Sequence, residues 1–299
     1  MAETSKLAQH SCFNHSNRRE RSAPLHGFMS PSVHTLRQLA AEIAPISCHA
    51  AHVTKLEIKT PDGSCPSYVF RPRGEGPWPA AIVYMDGVGI RPAMLAVGER
   101  LAGYGYFVLL PDLFYRAGPY APMDPKEIFS DPEKLKALRE KFFPHMSPAK
   151  VMSDTRAFLD YLTAQPDAKP GGIGTTGYCM GGLMSLTAAG TFPERVVAAA
   201  SFHGARLATD APDSPHWLAP KIKARVYVAG AIEDQTFPDE QKVRLQAALS
   251  DAGVENTVET YPARHGWVLS DVPTYDESAA ERHWSALVSL FDAQLKAAG

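Results

Sequence analysis

Hydrophobic residues follow two alternating spacings along most of this chain. Short, nearly continuous apolar runs are typical of strands buried on both faces of a sheet, and they alternate with segments in which apolar residues recur every three or four positions, as in helices. Two shorter strand-like segments, joined by the Pro61-Asp62-Gly63 turn, precede the first buried run at residues 79–85. Because the alternation continues to residue 296, it predicts an α/β fold with one mostly parallel central sheet and helices on both faces.

The pattern assigns boundaries to each element. The predicted strands are 53–59, 67–71, 79–85, 106–110, 172–176, 196–202, 224–229 and 256–261, and the predicted helices are 92–104, 131–142, 148–164, 180–190, 238–252 and 276–296. Two Pro-containing connections, residues 115–148 and 205–220, are expected to cover a pocket. Tyr115, Tyr120, Phe142 and Phe143 are the candidate wall residues of the first. The modest size of both connections favours a small substrate.

The first 50 residues do not follow this pattern. Six of the 11 histidines lie within the first 52 residues, and periodicity is poor apart from a predicted helix over residues 33–46. We expect residues 1–50 to be a poorly structured extension and residues 51–299 to form a single domain. An overlong translation start, with Met29 as the true first residue, is an alternative for residues 1–28. No apolar run there has the length of a secretory signal.

Composition and charge narrow the possible functions. Hydrophobic residues make up 45% of the chain and charged residues 21%, as in ordinary globular proteins. The near balance of 30 basic and 32 acidic residues argues against a nucleic-acid partner, and no apolar stretch is long enough to span a membrane. The four cysteines form neither a disulfide framework nor a zinc motif. We therefore expect a cytoplasmic protein without metal or cofactor.

A nucleophile motif stands where the strand at 172–176 meets the helix at 180–190. Gly177-Tyr178-Cys179-Met180-Gly181 has the form Gly-x-nucleophile-x-Gly of a tight strand-to-helix turn, in which larger residues would crowd the backbone. The helix N-terminus favours a thiolate at Cys179. The alternative interpretation of Cys179 is a small buried hydrophobic residue.

An acid and a histidine follow Cys179 in the chain order that this turn requires. Asp234 comes after the strand at 224–229, and His265 comes after the strand at 256–261. Glu233 competes with Asp234 for the acid's role. His203 competes with His265, but it follows an earlier strand and precedes the acid, so we interpret it as a pocket wall.

The residues around Cys179, Asp234 and His265 resemble those of a known family. Gly-Tyr-Cys-Met-Gly-Gly, together with the settings of Asp234 and His265, resembles the dienelactone hydrolase (carboxymethylenebutenolidase) family, which has the α/β-hydrolase fold and a cysteine nucleophile. The resemblance covers roughly residues 53–297. It implies that Cys179, Asp234 and His265 form a catalytic triad.

The resemblance also implies two pocket residues, and the sequence departs from the family near both. It places at Asp86 an acid that pairs with the resting cysteine, and at Arg116 an arginine that binds a substrate carboxylate. Known members carry glutamate where Asp86 stands, and a second arginine where this chain has Leu269. A pocket with one guanidinium should hold a diacid-like lactone less tightly.

These expectations define a cofactor-free hydrolase of a small ester or lactone. His265 would take the thiol proton, and the N–H groups of Gly87 and Met180 would hold the oxyanion. The residues assigned to substrate binding are Asp86, Arg116, Tyr115, His203 and Trp267. Acyl transfer or thioester hydrolysis with the same triad is an alternative, as is a non-catalytic binding protein or thiol sensor. The complete triad argues against simple binding, and the lack of a nearby second cysteine argues against a sensor.

Overall fold

Eight strands form one sheet in the computed structural model of the protein, which describes residues 52–297. They are β1 (His52–Thr60), β2 (Gly63–Arg71), β3 (Ala80–Tyr84), β4 (Phe107–Pro111), β5 (Ile173–Tyr178), β6 (Val196–Phe202), β7 (Arg225–Ala231) and β8 (Asn256–Tyr261). Their spatial order is β1-β2-β4-β3-β5-β6-β7-β8. Strand β2 runs antiparallel to β1 and β4, and the remaining neighbours pair in parallel.

Seven α-helices accompany the sheet in the described part of the chain. They are α1 (Pro92–Gly103), α2 (Pro125–Ser130), α3 (Pro132–Phe142), α4 (Pro148–Thr163), α5 (Met180–Thr191), α6 (Asp239–Asp251) and α7 (Glu277–Phe291). Proline at the first position suits α1 to α4, because the N–H that proline lacks would have no partner within the helix. Asp124, Asp131 and Ser147 cap α2, α3 and α4 with their side chains.

The core lies on both sides of the sheet centre. Every residue of β3, β4 and β5 is buried, and the nearly continuous apolar runs of β3 and β4 indicated this for those two strands. These parallel strands all end at the same edge, where ligands bind in open α/β sheets. The sheet therefore brings the segments after β3, β5, β6, β7 and β8 together at one edge.

The structure differs from the prediction by more than two residues at three elements. One is α7, which ends at Phe291 and is followed by a π-helical turn over Asp292–Lys296, whereas the predicted helix runs to residue 296. Strand β2 begins at Gly63 rather than residue 67, because residues 63–66 already pair with β1 directly after the turn. Helix α2 lies inside the Pro-containing connection, where its six residues are too short to produce a clear period. The predicted helix at 33–46 and the predicted extension at 1–50 lie outside the described residues, so the domain division stays a prediction. Within residues 52–297, no helix has the length and apolarity needed to cross a bilayer.

Candidate active site

Cys179 occupies the sharp turn between β5 and α5. Its backbone has φ 55° and ψ −116°, and its N–H donates to the carbonyl of Phe202 at 3.2 Å. A side chain at positive φ is strained in an L-residue, so the surrounding structure must hold the turn in place. The half-buried Cys179 thus stands at the N-terminus of α5 and lines a cavity.

Two glycines make this turn possible. A Cβ atom on Gly177 would lie 2.0 Å from the carbonyl oxygen of Gly181, and a Cβ atom on Gly181 would lie 2.2 Å from the carbonyl oxygen of Tyr84. Both neighbours are backbone atoms that cannot rotate away. The Gly-x-Cys-x-Gly spacing is therefore a steric requirement of the approach between α5 and the ends of β3 and β5.

Asp234 and His265 meet in the loops after β7 and β8. His265 Nδ1 lies 2.8 Å from Asp234 Oδ2, and the other carboxylate oxygen, Oδ1, accepts hydrogen bonds from the N–H and hydroxyl of Thr236 at 2.9 and 2.7 Å. The Asp234 side chain is 2% exposed. Since both carboxylate oxygens are bonded, the carboxylate is fixed and orients the imidazole ring.

The ionisation of this pair follows from its neighbours. Burial lowers the pKa of His265, but Cys179 and Asp234 together outweigh burial and raise that pKa to about 10. Burial likewise raises the pKa of Asp234, whereas the hydrogen bond and charge of His265 lower it, to about 2. Both pKa shifts therefore favour a cationic His265 beside an ionised Asp234.

His203 is the second histidine at the cavity, and its environment differs from that of His265. It follows β6 with φ 40°, is 1% exposed, and its ring centroid lies 5.0 Å from that of His265. Neither of its ring nitrogens has a partner among the described residues. Burial, and then the charge of His265, hold the pKa of His203 well below the usual range. His203 is thus a neutral polar group that faces the cavity.

His203 and His265 are neighbours in space with pKa values shifted in opposite directions, and this gives a direct test of the geometry. By NMR of ¹⁵N-histidine-labelled protein, we expect His265 to stay protonated at pH 8 and His203 to stay neutral at pH 6. In Cys179→Ala the pKa of His265 should fall, because one of the groups that raise it is removed. An unshifted His265, titrating near 6.5 in both proteins, would contradict the arrangement.

The cavity beside Cys179 has a volume of about 860 Å³. Gly87 and Met180, the two predicted oxyanion donors, line it, as do Cys179, His203 and His265. Met180 is the first residue of α5, so its N–H has no acceptor one turn earlier in the helix. The two Pro-containing connections also contribute to the lining. Their lining residues are Ile128, Phe129, Leu135, Leu138, Arg139, Phe143, Pro144, Met146, Ser147 and Pro148 from the first, and Ala205, Arg206, Thr209, Asp213 and Ser214 from the second.

Asp86 lines the cavity, but its carboxylate bonds to an arginine rather than to Cys179. The Arg91 guanidinium donates to both Asp86 oxygens at 2.8 and 2.9 Å, to both Asp271 oxygens at 2.7 and 3.1 Å, and to the Gly89 carbonyl at 3.1 Å. Arg91 is 1% exposed. The structure therefore pairs Asp86 with Arg91 rather than with Cys179, because two guanidinium N–H groups bind this short carboxylate in a bidentate pair.

Arg116 and Tyr115 point away from the cavity. The Arg116 guanidinium forms two hydrogen bonds to Asp154, at 2.7 and 2.8 Å, and one to Asp62 at 2.8 Å, while the Tyr115 hydroxyl donates to Asp154 at 3.0 Å. Asp154 is fully buried in α4 and requires a cation beside it. Neither Arg116 nor Tyr115 lines the cavity, so the structure does not bring these two predicted substrate-binding residues to Cys179.

The structure also places Trp267, Leu269 and Glu233, three positions that the sequence analysis singled out. Trp267, which the sequence assigned to substrate binding, is fully buried against His203 and Tyr261 and does not line the cavity. Leu269 is part of the hydrophobic core. Glu233, the competitor of Asp234, is exposed and pairs with Arg264 at 3.5 Å.

Sequence reasoning missed Thr236 and Arg91. Thr236 stands two residues after Asp234, a spacing at which an aspartate commonly accepts hydrogen bonds from the following backbone and hydroxyl groups. Arg91 follows Asp86 by five residues, and no local pattern indicates that the two meet. The Asp-x-Thr spacing was a usable signal, whereas the Arg91 pairing depends on tertiary structure.

An eight-stranded sheet with a single antiparallel strand, and a residue held at a strained turn between β5 and α5, define the α/β-hydrolase fold. A family model described as "Dienelactone hydrolase family" matches residues 65–295. The chain therefore belongs to the dienelactone hydrolase family of carboxylic ester hydrolases.

Individual relatives and solved structures agree with this assignment. A "Putative carboxymethylenebutenolidase" of Synechocystis sp. is 30% identical over 233 residues, covering 77% of this chain and 92% of the relative. A protein of the same name from Methylorubrum extorquens is 28% identical, covering 79% of each chain. A crystal structure titled as a "Putative Dienelactone Hydrolase" from Klebsiella pneumoniae superposes with a TM-score of 0.70 at 22% identity, covering 81% of this chain and 99% of that one. The last comparison supports the fold.

Proposed function

We propose that this protein hydrolyses a small-molecule ester or lactone through a Cys179-His265-Asp234 triad and a thioester intermediate. The observation that carries the proposal is the 2.8 Å hydrogen bond that His265 Nδ1–H donates to Asp234 Oδ2, with the raised pKa of His265 beside Cys179 at the edge of one cavity. Asp234 fixes the orientation of the ring, and the cationic ring favours a thiolate as the nucleophile.

In the first half of the reaction, Cys179 Sγ attacks the ester carbonyl and forms a tetrahedral adduct. The N–H groups of Met180 and Gly87 would donate to its oxyanion, a contribution of about 3–4 kcal/mol for each such donor in other hydrolases. His265 then protonates the departing alkoxide as the C–O bond breaks. The product of this half is a thioester on Cys179.

In the second half, neutral His265 removes a proton from water, which attacks the thioester carbonyl. The C–S bond breaks, the carboxylic acid leaves, and the thiolate and imidazolium are restored. When the substrate is a lactone, the alcohol stays attached to the acyl group, so no product has to leave before water attacks. No cofactor enters this scheme. The free thiols of Cys65 and Cys179 suit a reducing compartment, which supports the cytoplasm as the place of action.

The proposal is tested by trapping the intermediate. The protein is mixed with p-nitrophenyl acetate or with dienelactone, quenched in acid within milliseconds to seconds, and analysed by intact mass and peptide mapping. We expect an acyl adduct on Cys179 that decays as free acid appears. An adduct that decays only when an alcohol or amine acceptor is added would favour acyl transfer instead. Absence of both turnover and adduct with every ester and lactone would overturn the proposal.

A further inference from the structure

One side of the cavity is an apolar wall that the proposed chemistry does not use. We define the apolar wall as Ile128, Phe129, Leu135, Leu138, Phe143 and Met146, all of which line the cavity beside Cys179. It reaches the reacting groups, because a Cβ atom on Gly87 would lie 3.4 Å from Phe143 Cζ. A group attached to an ester bound at Cys179 can therefore lie against it.

The apolar wall is only partly accounted for by the packing of the fold. Phe129 is 49% exposed and Phe143 is 40% exposed, although both are large apolar side chains. Leu135 and Leu138, three residues apart on α3, put the apolar side of that helix on the cavity. Large apolar side chains left in water at a cavity mark a surface that an apolar ligand covers.

The charged groups around the cavity do not form a dedicated anion site. Asp154 and Asp62 hold Arg116 away from the cavity, and Asp86 and Asp271 engage Arg91 fully. Arg139 and Arg206 also line the cavity, but both are exposed. Their charges are therefore hydrated and screened by salt, in contrast to a buried fork that would grip a carboxylate.

From these observations we propose a substrate class for the proposed hydrolase, and this inference rests on that proposed function. The substrate is an ester or lactone whose acyl part carries an apolar chain or ring of about six to eight carbons, which packs on the apolar wall. The cavity volume of about 860 Å³ lies in the upper part of the roughly 300–1,000 Å³ typical of ligand pockets. We therefore propose a larger, uncharged substrate in place of the small, carboxylate-bearing one that the sequence predicts.

The test measures kcat/KM for p-nitrophenyl acetate, butyrate, hexanoate and octanoate, and for the hemisuccinate, which matches butyrate in chain length but bears a carboxylate. We expect kcat/KM to rise by up to about fourfold per added methylene, the value for burying one CH₂ group. The hemisuccinate should react more slowly than the butyrate.

A matched pair of variants tests whether the acyl chain of the substrate packs on the apolar wall. Leu135→Gln keeps the length and helix propensity of the residue but adds an amide to the apolar wall, and it should lower the octanoate-to-acetate ratio of kcat/KM by about tenfold. Val243→Gln makes the same kind of change on α6, where Val243 is 69% exposed and outside the cavity, and should leave the ratio unchanged.

The outcomes separate the two proposals. Wild-type protein that hydrolyses no ester refutes the proposed function. Wild-type protein that hydrolyses acetate best, or prefers the hemisuccinate to the butyrate, retains the function and overturns the apolar substrate class. A ratio that Leu135→Gln leaves unchanged, with long esters still preferred, overturns the apolar wall as the binding surface.

Discussion

Replacing Cys179 with alanine is expected to lower kcat at least about 1,000-fold with every ester that the protein hydrolyses, because it removes the nucleophile of the proposed triad. Removing the nucleophile from a comparable triad costs far more than this, and the remaining rate comes from the oxyanion donors and binding. Alanine adopts the same strained backbone no less easily than cysteine, so the free energy of unfolding should change by less than about 1 kcal/mol. Steady-state kinetics and urea unfolding measure the two effects.

Cys65→Ala is the matched control. Cys65 is fully buried, its Sγ donates to the Asp112 carbonyl at 3.4 Å, and burial raises its pKa to about 12. Its removal should cost about 1 kcal/mol of stability and leave kcat within about twofold of the wild type. Iodoacetamide at pH 7 should modify Cys179 and spare Cys65. Cys179→Ala protein with more than a tenth of wild-type kcat would show that the thiol is not the nucleophile. Cys179→Ser protein with full activity would show that the reaction does not depend on a thiol at this position.

Replacing Gly181 with alanine is expected to lower the free energy of unfolding by about 3–5 kcal/mol, well above the usual effect of one added methyl group. The new Cβ would lie 2.2 Å from the Tyr84 carbonyl oxygen and 2.5 Å from that of Met85, so α5 and the end of β3 must separate. That separation moves the Met180 N–H relative to Gly87, and misplacement by about 1 Å should cost about 100-fold in kcat.

Gly103→Ala is the control for Gly181→Ala. Gly103 is the last residue of α1, and a Cβ atom there would meet nothing within 4 Å. Alanine should therefore be neutral or stabilise the protein by up to about 1 kcal/mol. Chemical denaturation with equal m-values for the three proteins provides the comparison. If Gly181→Ala unfolds at the same denaturant concentration as Gly103→Ala, the turn tolerates a side chain and its glycines serve another purpose.

The fold could be predicted because its determinants are local. Buried parallel strands leave continuous apolar runs, as at 80–84 and 107–111, and the turn at Cys179 leaves two glycines at fixed spacing. Asp234 and His265 could be located as well, since residues that follow parallel strands meet at one edge of the sheet. These inferences needed only the order of strands, helices and candidate residues along the sequence.

The pocket residues could not be predicted in the same way, because their roles depend on partners distant in sequence. Arg116 is turned away by Asp154, a buried carboxylate 38 residues later that looks like any helical aspartate in the sequence. Asp86 is occupied by Arg91, and Trp267 faces inward although its neighbour His265 faces the cavity. The side of a loop on which a side chain lies is decided by packing, which leaves no periodic signal.

The buried Arg91 guanidinium links two parts of the chain that the ribosome synthesises at very different times. Its partners Asp86 and Asp271 lie 5 residues before it and 180 residues after it, in the segments that carry Gly87 and His265 respectively. A nascent chain that ends before residue 271 leaves this guanidinium with only half of its carboxylate partners. Asp271 must therefore be present before Arg91 can link the loop that carries Gly87 to the loop that carries His265.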